Sequence, residues 1–111
     1  MTSLHDEPVE VVLTGELDIS TFDQAERQVL QAEECAPALL VIDLGALQFV
    51  DSTGVRLILL ADQRARAAGR RLAIRLGSGP ALRVFEALGL TSRFLVLDAS
   101  PDDPARQTKR S

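Results

Sequence analysis

Histidine, cysteine and lysine each occur once in this chain of 111 residues, and it has four Phe but no Trp or Tyr. With Cys35 as its only cysteine, no internal disulfide can form, so a reducing cytoplasm is the expected compartment. One Cys and one His cannot furnish a zinc site. The histidine, His5, stands in an unpatterned N-terminal stretch, so a Ser-His-Asp triad lacks a base that could be held against a serine. Lys109 lies in the polar C-terminal stretch, which deprives Gly77-Ser78-Gly79 of a P-loop lysine. Hydrolase, zinc-enzyme and NTPase chemistry are all excluded on these grounds. Without Trp or Tyr there is no base-stacking platform, and the arginines are flanked by alanines rather than aromatics, so no nucleic-acid partner is expected. No segment approaches the roughly 20 apolar residues of a membrane helix. The first seven residues have neither the basic nor the apolar region of a signal peptide.

What is present suits one ordinary globular domain: 46% hydrophobic and 25% charged residues, with a net charge of −4. The charge is uneven. Residues 1–55 hold 11 acids and a single base, Arg27, whereas residues 56–111 hold 11 bases and 5 acids. One acidic and one basic surface region would orient a protein partner.

The punctuation of the chain predicts alternating strands and helices. A β-branched strand over 9–14 stops at Gly15. A helix capped by Ser20, with Asp23 three residues on, runs to about Glu34 with Phe22, Ala25, Val29 and Ala32 on one face. Ala36-Pro37 breaks it; Cys35, at its end, reads as an incidental thiol. An apolar strand over 39–44 is of the kind covered on both faces. A helix over 53–68 closes at Gly69, a strand covers 71–76, and Pro80 opens a helix reaching Leu88. A last strand spans 94–97. The order predicts an α/β domain over 1–98 with a mostly parallel four-stranded sheet. Residues 99–111 read as a short polar tail, expected to be mobile.

Chemistry concentrates at Asp51-Ser52-Thr53-Gly54, where a helix is about to begin. A hydroxyl there is either a helix cap or a switch, because a helix N-terminus also accommodates phosphate. Val50 stands where a nucleophile elbow needs glycine. Thr53 reads as a first-turn residue, and Gly54 as the position that lets the helix approach the sheet. Glu16, Asp18, Asp43 and Asp51 all fall near predicted strand ends, where α/β sheets place their sites. Such a set could hold Mg²⁺ around Asp43 as in a receiver domain, but the lysine such domains use is missing.

Gly15-Glu16-Leu17-Asp18 before a helix, Val41-Ile42-Asp43-Leu44 followed by Phe49-Val50-Asp51-Ser52-Thr53-Gly54, and Ala81–Leu90 occur in an order and spacing that resembles the STAS domain. Within it, the chain is similar to the bacterial anti-sigma factor antagonists over about residues 9–98. The resemblance implies a non-enzymatic binding module without cofactor or metal. Its partners would be an anti-sigma factor that is also a serine kinase and a PP2C-type phosphatase, with no membrane or nucleic acid. It implies Ser52 as phosphoacceptor, with Asp18, Asp51, Thr53 and Gly54 as its surroundings. The chain departs from the family pattern at Arg56, where a small residue is usual; the family's extra first strand is expected to be short or absent, and its C-terminal helix missing or rudimentary given Pro101 and Pro104. An alternative within the same fold is an interaction subunit of a signalling or transport complex in which Ser52 only caps the helix.

Projected at 100° per residue, the second helix turns Gly54, Leu57, Ile58, Ala61, Ala65 and Ala68 to the sheet. Arg56, Leu59, Leu60, Gln63 and Ala67 fall opposite. Arg56, Leu59 and Leu60 are therefore the expected partner-binding patch. The alternative for the two leucines is a wide apolar stripe partly covered by a neighbouring helix.

Overall fold

The structure, a computed structural model, describes residues 8–97. In chain order its elements are β1 (Val9–Val12), β2 (Gly15–Leu17), α1 (Phe22–Glu33), β3 (Leu39–Asp43), β4 (Leu47–Val50), α2 (Ser52–Ala67), β5 (Arg71–Arg75), α3 (Pro80–Ala87) and β6 (Leu95–Leu97). The apolar run of β3 makes it a central strand, hydrogen-bonded in parallel to β1 on one side and β5 on the other. With β6 parallel to β5, the order is β1-β3-β5-β6. This is the four-stranded parallel sheet that the alternating pattern predicts.

A second sheet is present that the pattern does not predict. β2 and β4 pair in parallel, with Gly15 opposite Leu47, Glu16 opposite Phe49 and Leu17 opposite Val50. The first strand accordingly ends at Val12 rather than Thr14. Leu13 N–H still reaches the Asp43 carbonyl at 3.0 Å before the chain turns away. Gly15, at φ 81°, takes a backbone conformation open to glycine and opens the new strand instead of closing the old one.

Alternate residues of the main sheet, Leu40, Ile42, Leu72 and Ile74, meet all three helices in one hydrophobic core. α1 contributes Ala25, Val29 and Ala32, α2 contributes Leu57, Ile58, Ala61 and Ala65, and α3 contributes Ala81 and Phe85. Phe85 also meets Phe94 edge to face with ring centroids 5.9 Å apart. Across the top of the core, Arg64 of α2 grips Glu33 of α1, Nε to Oε1 at 2.9 Å and Nη2 to Oε2 at 3.0 Å.

Several helix details correct the expectations. Ser20 does not cap α1: Thr21 holds that position, without a side-chain cap bond. Helix α2 starts at Ser52, one residue early, and its cap is Asp51 rather than Ser52. Ala68 is exposed, whereas Val55 and Asp62 join the buried face. The predicted tail, 99–111, lies outside the described residues. No helix among the described residues is long and apolar enough to cross a membrane.

Candidate functional site

Because β2 and β4 run in parallel, the segments that leave them emerge at the same end of the small sheet. One is Asp18-Ile19-Ser20 and the other is Asp51-Ser52. They are tied by the Asp51 N–H, which donates to the Leu17 carbonyl at 3.3 Å. The second sheet thus brings two distant parts of the sequence to one place.

Asp51 adopts extended backbone, and its Oδ1 accepts from Thr53 N–H at 2.9 Å and Gly54 N–H at 3.3 Å. Two of the free amides of the first turn are satisfied this way. Ser52 is exposed, and its hydroxyl has no hydrogen bond among the described residues. Asp51→Ala should therefore lower stability by about 0.5–2 kcal/mol while Asp51→Asn retains most of it, since asparagine caps as well as aspartate does. Urea unfolding of the two variants checks this, and equal stabilities for Asp51→Ala and wild type would remove Asp51 from the cap.

Gly54 is buried, and its position is set by contact. A Cβ there would lie 2.8 Å from Leu17 Cγ, 2.9 Å from Leu17 Cδ2 and 3.1 Å from Val50 Cγ1. The close helix–sheet approach read from sequence is present, and it presses α2 onto the last residues of β2 and β4.

Asp18 organises its own loop. Its Oδ1 accepts from Ser20 Oγ at 2.7 Å, Ser20 N–H at 2.9 Å and Thr21 N–H at 3.2 Å. The Ser20 hydroxyl foremost holds the Asp18 carboxyl below its ordinary value; burial opposes it, and the Ser20 and Thr21 amides and the Thr21 hydroxyl add to the lowering. A carboxyl whose pKa falls on folding adds stability above its unfolded value and loses it as pH drops through the lower folded value. These bonds fix the loop that faces the start of α2.

Asp43 is buried, and its Oδ1 accepts from Gly45 N–H at 2.9 Å, a local turn bond. Among the described residues no three His, Cys, Asp or Glu side chains gather where a metal could bind, so the strand-end acids do not form the Mg²⁺ cluster considered above. A cavity of about 280 Å³ between β2 and α1 is lined by Glu16, Thr21, Gln24 and Gln28 with no basic side chain.

On the outer side of α2, Arg56 is exposed while Leu59 and Leu60 are half-buried, Leu59 resting on the core. Two apolar residues missed by the sequence reading stand out beside the loops: Ile19, 81% exposed, and Phe49, 48% exposed. Phe49 lies three residues before Ser52 and opposite Glu16 across the small sheet. Neither belongs to a periodic stripe, so only their places within the family signatures could have pointed to them.

A family model described as Mlab, STAS domain, matches residues 1–97, and the chain belongs to the STAS-domain family. No curated protein sequence matches it. Among solved structures it is similar to the anti-sigma factor antagonist SpoIIAA in its unphosphorylated form, at 25% identity and a TM-score of 0.69 over 98% of this chain and 92% of the other. The Bacillus SpoIIAA structure in the phosphorylated form also matches at 25% identity, with a TM-score of 0.64 over 97% and 95%. An anti-sigma factor antagonist from Mycobacterium paratuberculosis shares the fold at 23% identity and a TM-score of 0.74, covering 96% and 89%. A sulfate transporter family protein from Wolinella succinogenes shares it at 15% identity and 0.69, covering 92% and 84%.

Proposed function

We propose that this chain is an anti-sigma factor antagonist, a binding module rather than an enzyme, that holds an anti-sigma factor/serine kinase until Ser52 is phosphorylated. The observation that carries the reading is the division of labour at the start of α2. Asp51 caps the helix and leaves the Ser52 hydroxyl exposed and without another bond among the described residues. The likeness to SpoIIAA, solved in both phosphorylation states, supports it. In the forward step Ser52 Oγ attacks the γ-phosphorus of ATP, the bond to the ADP oxygen breaks, and the hydroxyl proton passes to a base of the kinase. A PP2C-type phosphatase restores the serine by hydrolysis, releasing inorganic phosphate.

Incubation with the serine kinase that binds it, followed by mass spectrometry, should place one phosphate on Ser52. Phosphate on Asp43, or on no residue, overturns the assignment. The docking surface in this reading joins the Asp18 and Ser52 loops to Arg56, Leu59 and Leu60, with Ile19 and Phe49 as additional apolar anchors. Buried anchors of this kind contribute about 2 kcal/mol or more each. Leu60→Asp should accordingly abolish binding. A variant that is folded by circular dichroism yet binds as wild type moves the interface elsewhere, and one that unfolds assigns Leu60 to the core.

Arg56, in place of the family's small residue, favours a second reading: a fixed STAS interaction subunit, in a signalling or transport complex, on which no kinase docks. The absence of any phosphate in the mass spectrum, together with stable partner binding, selects it.

A further inference from the structure

Arg56 stands one helical turn after Ser52 on α2, and both are exposed. Residues four apart on a helix are neighbours, with Cβ atoms about 5–6 Å apart. A long side chain leans toward the helix N-terminus, over the residue four positions earlier. From this position an arginine side chain can reach back along α2 to Ser52. Arg64, Arg66 and Arg75 are each paired with a carboxylate, whereas Arg56 meets none among the described residues. The acids nearest Ser52 are already engaged: Asp51 with the Thr53 and Gly54 amides, Asp18 with Ser20 and Thr21.

We propose that, once Ser52 carries phosphate, Arg56 folds over the first turn of α2 and binds it, so that modification removes the arginine from the docking surface. This rests on Ser52 being the phosphoacceptor and adds how the modified state is read. A phosphoserine dianion offers three acceptor oxygens, and a guanidinium presents a planar fork that matches two of them. In the unmodified chain the same fork is free for an acidic group of the partner. Phosphorylation thus acts twice at one spot, adding negative charge and withdrawing a positive anchor. The pairing also offsets the repulsion that Asp51 and Asp18 exert on the phosphate.

The test uses the full chain with phosphoserine installed at position 52 during translation, so that it does not depend on any kinase. The second ionisation of the phosphate, ordinarily near pH 6, is followed by phosphorus NMR in this chain and in the same chain carrying Arg56→Gln or Arg56→Lys. With Arg56 present the pKa should lie about half a unit lower than with Arg56→Gln, roughly a threefold change in the protonation constant, and Arg56→Lys should recover part of it. For the chain carrying Arg56 alone, 1 M salt should raise the pKa toward the Arg56→Gln value, because an exposed pair is screened. Coincident titration curves for the two chains, or a salt response equal in both, overturn the pairing. Failure of the kinase to modify Ser52 would instead overturn the phosphoacceptor assignment and leave these curves unchanged.

Discussion

Ser52→Asp should bind the proposed anti-sigma partner at least about 30-fold more weakly than the unmodified chain, while Ser52→Ala should bind it as wild type does. A carboxylate at this position adds to Asp51 and Asp18, and a partner surface fitted to a neutral hydroxyl then buries an unmatched charge. The two variants can be compared directly because neither disturbs the helix cap. Asp51, not Ser52, accepts the first-turn amides, so Ser52→Ala should change stability by no more than about 0.5 kcal/mol. Aspartate at the first helical position is favoured by the helix dipole, so Ser52→Asp stays folded. Calorimetric titration with the purified partner gives both affinities. Equal affinities for the two variants would show that charge at Ser52 is not what the partner senses.

Gly54→Val should destabilise the fold by about 3 kcal/mol or more. The first added carbon alone falls within 2.9 Å of two atoms of Leu17, a residue only 1% exposed, and 3.1 Å from Val50. Both neighbours are buried and must shift against the packed core, and overpacking of this kind typically costs about 1–3 kcal/mol, occasionally more. In Gly54→Ala the gain in helix propensity, about 1 kcal/mol, offsets part of the strain, so that variant should fall between valine and wild type. For a domain of this size each kcal/mol corresponds to about 4–8 °C in Tm, which thermal unfolding resolves. Wild-type melting in Gly54→Val would mean that α2 can lift from the small sheet without loss.

The central strands and all three helices are readable from the sequence because each is long enough to show its period or is bounded by glycine or proline, and the short β1 and β6 because they lie in β-branched or apolar runs. The small sheet is not. β2 has three residues and β4 has four, Glu16 and Gln48 interrupt their apolar runs, and Gly15 reads as an end rather than a start. That omission matters for the site, since the β2–β4 pairing is what carries the Asp18 loop to Ser52. The caps were misplaced by one residue at both helices for a shared reason. Ser20-Thr21 and Asp51-Ser52 are each pairs of good capping residues, and sequence preference cannot choose between adjacent ones. In both loops the aspartate takes the backbone amides. Arg56 is exposed, but Leu59 and Leu60, projected to the outer face, are half-buried and Leu59 packs on the core, because the neighbouring elements cover more of α2 than a bare cylinder suggests.

The grip of Arg64 on Glu33, a carboxylate almost closed off from solvent, joins α1 to α2 by three hydrogen bonds above a continuous core. A brace of this kind over a close-packed core resists displacement of α1 against α2. If Ser52 is the switched residue, as proposed, phosphorylation should be read at the surface without a slow rearrangement of the domain. The memory of such a switch would be the lifetime of one phosphoester bond, and its tempo would belong to the two enzymes that make and break that bond.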